Sequence, residues 1–403
     1  MGATLTTINA ALKEVWTQDA LEEQIYQGNP FLDELEKTDR YTIGEYAVTP
    51  LHTQRNGGYS AISSAGGNLN TAGNQGVAQA QWQFTHHNQQ INIQGSAIDQ
   101  SSGNANSVAN VVDLEVTGAL NDLKKQITRQ AFSNGDGRIT ACGVTSASNV
   151  VVLDVGDGYD ALVRRWLHVG SQVDIGTAAS PTSLINGESV TAVSKVAATP
   201  TITVSTSITT TASNFVSIKG NRTGASATYE MNGLRNVVST TADLGGLTVA
   251  ANPEWQAAEV TTTSQSLTLT LMLAKQEAVQ QNTGETPTDV LTSIKQRRVF
   301  YSLLQNQARF QADNFEAGSV DKVRWNGLTI QAHPDCFSGD MYFLTKKKLF
   351  IVATDKPYWQ NKITGGDILS WIQGTDSYGA KLTYRIQLAT NRRNAHARLG
   401  GLT

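Results

Sequence analysis

Apolar residues along this chain follow two rhythms, one helical and one of period two, and they change over in a definite order. Ile8, Leu12, Val15, Trp16, Ala20 and Ile25 recur at roughly helical spacing, with Glu14, Asp19, Glu22 and Glu23 largely off that stripe. The spacing predicts a helix over 6–27 that Asn29-Pro30 stops, with a short acidic turn from Phe31 to Lys37. Val108, Val112, Val116, Leu120, Leu123, Ile127 and Ala131 keep i, i+3/i+4 spacing and predict a longer helix over 107–132. Ser107 is its candidate cap. Asp113 and Glu115 fall in its first half and Lys124, Lys125 and Arg129 in its second, which suits the helix dipole. Asn134-Gly135-Asp136-Gly137 ends it.

Between these helices the rhythm is strand-like. Tyr41, Ile43 and Val48 alternate, a Gly/Asn/Ser/Ala tract runs from Asn56 to Gly76, and Trp82, Phe84, Ile91 and Ile93 alternate on the way back. The expectation is one long two-stranded arm with a flexible tip. The only charges from 41 to 100 are Glu45, Arg55 and Asp99. An isolated ribbon of this kind is marginal in water and leaves its edges unpaired, so it gains stability by lying on another surface. Beyond Arg138 the period is again two and the composition turns to Val, Thr and Ser. Short strands are predicted at Val150–Val155, Gln172–Ile175, Ser189–Val196, Thr201–Ser205 and Phe215–Lys219, as in a small β-barrel or sandwich over 138–225.

Mixed patterns resume at Tyr229. A helix is predicted from about Ser266 to Gln281 with Gly284 beyond it, a buried strand at Thr288–Ser293, and a helix from about Gln296 to Phe310. Leu328, Ile330 and Ala332 lead into a His333-Pro334-Asp335 corner and a Ser338-Gly339 turn. Met341–Leu344 then reads as the return strand of a hairpin. Leu349–Ala353 is a further strand. Leu382, Tyr384, Ile386 and Leu388 alternate with Lys381, Thr383, Arg385 and Gln387, as in a half-exposed strand ending at Arg392-Arg393.

Composition narrows the function. The chain has 403 residues, enough for two or three domains, yet only 16% of them are charged, well under the usual quarter. Its surface is therefore neutral and polar, or covered by other chains. A formal net charge of −3 offers no basic stripe for gripping nucleic acid. Cys142 and Cys336 form neither a disulfide framework nor a metal spacing, and read as buried free thiols. Residues 1–20 carry Lys13 and Glu14 in an amphipathic pattern unlike a signal peptide, and no apolar run approaches a membrane span. The segments at 134–136 and 156–160 lack the alternating acids and distal Glu of a calcium loop. His86 and His87 would point to opposite faces of a strand and cannot chelate one ion. No nucleophile elbow, P-loop or zinc motif is present, so no catalytic, cofactor or metal residue is assigned.

Four segments resemble the major capsid proteins of tailed bacteriophages with the Hong Kong 97 type fold. They are Tyr229–Val238 leading to Gly245-Gly246-Leu247 and Asn252-Pro253-Glu254-Trp255; Pro287–Ser293 with Tyr301–Leu304 and Arg309-Phe310; Asn326–Thr345; and Leu382–Leu388 with Asn391-Arg392-Arg393. The resemblance implies an α+β fold with an N-terminal helical arm (1–40), an extended β-hairpin loop (41–100), a spine-helix region (101–137), an inserted β-barrel or sandwich (138–225) and a mixed axial and peripheral core (226–403). It implies a shell subunit, not an enzyme, located in the virion capsid and assembled in the bacterial host cytoplasm. Its partners would be copies of itself in hexamers and pentamers, with portal, scaffolding and decoration proteins. Packaged DNA would be enclosed without sequence-specific contact, and no membrane or cofactor enters. Candidate intersubunit contacts are Trp16, Ile25, Tyr41, Tyr59, Trp82, Phe84, Arg392 and Arg393. Two other readings stay open: another self-assembling subunit, of an encapsulating compartment or tail tube, and an enzyme acting on polysaccharide.

Overall fold

The computed structural model of the chain describes residues 30–38, 42–64, 66–95, 105–154, 166–194, 200–224, 229–306, 323–353, 357–363 and 368–403. The predicted helix over 6–27, with Trp16 and Ile25, lies outside these residues, as does Tyr41.

A 28-residue helix, Ala105–Phe132, forms where the apolar stripe is longest. Val116, Leu120, Leu123, Ile127 and Ala131 are all buried, while Asp122 and Lys125 stay on its wet side 3.8 Å apart. Its buried stripe packs on a six-stranded sheet whose organiser is the 14-residue strand Ser377–Thr390. One edge of that strand pairs antiparallel with Thr85–Gln94, from Ser377↔Gln94 to Ile386↔Thr85. The other edge takes three short partners in turn: Leu349–Ala353, Tyr358–Trp359 and Ser370–Trp371. Glu36–Thr38 adds a parallel edge strand against Phe350–Val352, and Phe31, Leu32 and Leu35 just before it are buried in the same core.

The terminal strand is less exposed than its alternation suggests. Thr383 and Gln387 are buried with their polar atoms satisfied. Thr383 Oγ1 donates to Asn88 Oδ1 (3.0 Å), Gln387 Nε2 donates to the Gln83 carbonyl (2.9 Å), and Gln387 Oε1 accepts from the Asn232 amide (2.8 Å).

The long arm is two elements, not one. Tyr46–Gln54 pairs with Gly76–Gln83 as a hairpin, and Thr85–Gln94 leaves it for the large sheet. Side-chain phase explains the break. Ala80, Trp82 and Phe84 face inward on even numbers, whereas His87, Ile91 and Ile93 do so on odd numbers. The inward face must change phase at Phe84–Thr85, where the strand ends.

A second six-stranded sheet carries two of the four segments that resemble the capsid family, 287–293 and 326–345. Its order is Glu259–Thr261, Ala397–Leu399, Met341–Leu344, Asp289–Thr292, Leu328–Ala332, Val323–Trp325. The expected hairpin of Leu328–Ala332 with Met341–Leu344 is therefore not formed. Asp289–Thr292 lies between them, parallel to the first and antiparallel to the second. Val290 and Leu291 are buried on both faces, as a central strand requires. The helix Leu269–Thr283 covers this sheet, capped by Thr268 Oγ1, which accepts from Leu271 N, and ended by Gly284 at φ 75°. The helix Ile294–Asn306 follows the central strand.

Residues 138–218 build a seven-stranded antiparallel sheet in the order 192–194, 201–210, 145–154, 138–142, 215–218, 172–176, 185–189. Its two edge strands are consecutive in the chain, joined only by residues 190–191, so the sheet must curl until its edges meet. The Glu188 carboxylate spans that gap, accepting from the amides of Ser205 (3.0 Å) and Thr206 (3.1 Å). Phe337, from the 333–340 connection, completes this sheet's core and stacks beneath Arg235 (4.5 Å).

Leu120 sits at the centre of the helix-on-sheet contact at 1% exposure. Leu120→Ala is expected to lower stability by roughly 2–5 kcal/mol. Urea unfolding should show an earlier midpoint at unchanged slope, and a loss below about 1 kcal/mol would contradict the packing described.

Candidate intersubunit surfaces

The hairpin Tyr46–Gln54/Gly76–Gln83 is anchored at its base and bare at its tip. At the base Trp82 is 1% exposed, donates from Nε1 to Thr49 Oγ1 (3.1 Å), and tilts against Trp255 at 6.4 Å. Gln81 N donates to the Gly245 carbonyl (2.8 Å), where φ is +66°. A Cβ at Gly245 would stand 3.1 Å from the Ala80 methyl, so glycine serves both conformation and close approach there. Toward the tip Asn56 Oδ1 accepts from the amides of Gly58 (2.8 Å) and Gly73 (3.1 Å), closing the two sides of the loop. Asn70 Nδ2 donates to the Tyr59 carbonyl (2.7 Å). Beyond that clasp Tyr59 is 85% exposed, and Ile62 and Leu69 are exposed too, as is Val77 on the adjoining strand. The tip thus holds shape through amide hydrogen bonds and offers apolar side chains with Arg55 the one charge between 46 and 83.

The other expected contact residues divide. Trp82, Phe84 and Arg393 are interior, which leaves them no surface to offer a neighbour. Arg392 remains partly exposed, 3.9 Å from Glu285, with Nε donating to Asn394 Oδ1 (3.1 Å). Arg393, fully buried, donates to five backbone carbonyls: Val237, Ala242, Trp255, Asn236 and Ser239, at 2.8–3.2 Å. Its guanidinium also lies 5.9 Å from the Trp255 ring. It locks the 236–257 loop on which the hairpin base rests. Burial lowers its pKa to about 10, which keeps it cationic at neutral pH. An Arg-Arg pair at a strand end reads as a charged tip; only the carbonyl cage shows one of the two turned inward.

Two histidines are buried neutral. His396 accepts at Nδ1 from the Thr345 amide (3.4 Å) and meets Thr390 Oγ1 at 3.3 Å. Burial, and then Arg393, lower its pKa to about 3. His87 faces in and His86 out, as alternation requires, and burial, then Arg129 and His86, lower the His87 pKa to about 4. Cys142 and Cys336 are buried thiols, that of Cys142 raised by burial to about 12. Among the described residues no group of three or more His, Cys, Asp or Glu converges as a metal site would need. Nor is any described helix long and apolar enough to cross a membrane.

The curled sheet is fastened to the body at a neck that sequence reading did not single out. Arg129 of the long helix pairs with buried Glu230, which also accepts from Asn221 Nδ2 (2.7 Å). Arg138 and Arg222 both approach the Phe215 ring, at 4.8 and 4.9 Å, and Arg222 donates to the Asp136 carbonyl (2.9 Å). One turn of this neck brings Gly233 against the Gln130 and Ser133 carbonyls, leaving no room for a side chain.

Compared with solved structures, the chain matches one from the cyanophage A-1(L) capsid asymmetric unit. The match covers 94% of this chain and 93% of that one, with a TM-score of 0.53 at 14% identity. The fold is that of a phage capsid chain. The mixed sheets and long helix expected of a capsid fold are thus present among the described residues. A chain from the satellite phage P4 procapsid including size determination protein matches at TM-score 0.43 and 9% identity, covering 99% and 97%. One from the holo-SrpI encapsulin complex of Synechococcus elongatus PCC 7942 matches at 0.44 and 7%, covering 98% and 95%. At those scores the likeness carries no argument about this chain. No protein-family model and no curated protein matches the sequence.

Two expectations follow. Lysine at 393 supplies at most three donors for five carbonyls, and each orphaned buried acceptor costs about 1–3 kcal/mol. Arg393→Lys should therefore lower stability by about 2 kcal/mol or more in urea unfolding, and a neutral outcome would refute the cage. Below pH 6.5 the unfolded chain binds protons at His87 and His396 that the folded chain refuses until about pH 4 and pH 3. Stability should fall as pH drops through that window and be unaffected by these groups above it. His87→Gln should flatten the part between pH 6.5 and 4, read from unfolding midpoints at pH 4.5 and 7.5.

Proposed function

We propose that this chain is the major capsid subunit of a tailed bacteriophage, and that its copies self-assemble into an icosahedral shell around packaged double-stranded DNA. The observation that carries the reading is a capsid fold matched over 94% of the chain. The hairpin, with Arg55 its one charge and an apolar tip beyond its own core, supports it. A subunit of such a shell acts by many moderate contacts. An interface of ordinary size buries roughly 1,600 Å², and several per subunit stabilise a closed shell through effective concentration.

In this reading the hairpin and the N-terminal arm reach neighbouring subunits, with Tyr59 and Arg392 as contact residues. The helix Ala105–Phe132 is the rigid spine. Residues 138–225 form an inserted β-barrel that projects on the outer face; the consecutive edge strands and the Glu188 bridge support closure. The low charge suits a wall that encloses DNA without binding its sequence. The location is the virion capsid after assembly in the host cytoplasm, with portal and scaffolding proteins as partners and a decoration protein on the outer face.

The purified chain is expected to form closed shells visible by negative-stain microscopy. Deleting 56–76 should leave a folded subunit, by circular dichroism, that fails to make regular particles. Open tubes, or a monomer at every concentration, would overturn the reading.

A further inference from the structure

Trp371 is unlike the other described tryptophans. Trp82, Trp166, Trp255 and Trp359 are buried and Trp325 is half-buried, whereas Trp371 is 58% exposed and its neighbour Ile372 is 36% exposed. Both sit on a tight hairpin in which Ser370 and Trp371 pair with Gly379 and Tyr378. Ile372 N donates to the Ser377 carbonyl (2.9 Å), and Gly374 takes φ +83° at the turn.

Strand alternation separates the two apolar residues. Ser370 and Ile372 face one side of the sheet and Trp371 the other. Ile372 lies over Gly379, where an added Cβ would come within 3.0 Å of it. Gly379 is followed on the same face by Lys381, and register brings Asn92 and Gln90 beside them. These side chains line a groove of about 300 Å³. Trp371 is on the opposite face, beside Tyr378, whose cross-strand partner is buried Ile93. A tryptophan and a groove on opposite faces of one sheet edge cannot meet within a single chain. Two copies related head to tail can bring them together, and such heterologous contacts close rings.

Charge selects the same orientation. Lys381 lies in the groove, and Asp376 is exposed at the turn that carries Trp371. Neither has an ion-pair partner among the described residues, in a chain with few charges to spare. An occupant carrying Trp371 and Asp376 would deliver an aromatic anchor, the residue type most enriched in interface hot spots, together with the counter-charge for Lys381.

We propose that the 370–379 hairpin is a head-to-tail contact between copies of this chain, with Trp371 of one copy seated in the groove beside Lys381 of the next. The proposal rests on the capsid reading and names one of its interfaces. Trp371→Ala and Asp376→Lys alter exposed positions and should leave circular dichroism and thermal midpoint near those of the parent chain. Each should raise the concentration needed for shells by about tenfold or more, measured by sedimentation and negative-stain microscopy. The swap Asp376→Lys with Lys381→Asp should restore assembly to within about threefold. Folded Trp371→Ala subunits that build shells at the parental concentration would overturn the contact and leave the capsid reading standing. A swap that restores nothing would overturn the Asp376–Lys381 pairing. A parent chain that forms no particles would overturn both the contact and the capsid reading.

Discussion

Much of the fold hangs on one strand, Ser377–Thr390, pairing along its whole length with segments from elsewhere in the sequence. Thr85–Gln94 occupies one edge, nearly 300 residues earlier in the chain, and three short strands share the other. Leu382, Tyr384, Ile386 and Leu388 are all at or below 2% exposure, each worth about 1.5–3 kcal/mol of burial. Loop closure over such a distance must come before these contacts reward it. The long helix, whose own hydrogen bonds are local, offers the strands an apolar surface to pack on. Without this strand the spine helix has no sheet to cover, and the hairpin has no root.

The same strand leads directly into the polar interior. Thr390 meets His396, and Arg393 fills the space between them and the 236–257 loop. A buried guanidinium is tolerated because five carbonyls meet its donors, and the end of the short helix Leu234–Val237 and the loop after it are held because their carbonyls find one shared partner. That loop carries Gly245 and Trp255, which seat the hairpin base. The chain of dependence runs from the terminal strand through Arg393 and the loop to an arm that extends beyond the core.

Low charge takes on meaning only against this frame. With 16% charged residues, several ion pairs among the described residues sit at joints: Arg129–Glu230 at the neck, Lys346 between Glu34 and Asp289, and Arg235 near Asp340. Outward surfaces such as His86, Asn88, Gln90, Asn92 and Gln94 are left mainly to amides. Such a surface neither repels its own copies nor holds nucleic acid tightly, as the shell function proposed above requires.

The sequence by itself determined the elements whose signals are local. The spine helix follows from i, i+3/i+4 spacing. The helix Leu269–Thr283 ends at Gly284 because only glycine takes φ 75° without strain. Strands at 145–154, 172–176, 201–210 and 215–218 follow from alternation between turn residues, whereas 138–142 is not among those expected and the expected strand Ser189–Val196 is instead two, 185–189 and 192–194, parted by a two-residue link. The family likeness of Tyr229–Val238 and Asn326–Thr345 pointed to the capsid fold. Tertiary structure decided what alternation cannot encode, namely which strand pairs with which. Leu328–Ala332 and Met341–Leu344 look like a hairpin, yet Asp289–Thr292 intervenes because its two-sided apolar surface fits only a central place. The split at Phe84 runs against the expected single arm; the shift of apolar positions from even to odd marks it in the sequence, but nothing there marks its new partner. Burial of Trp82, Phe84 and Arg393, and exposure of Trp371, depend on neighbours far away in sequence, and no one-dimensional pattern carries that information.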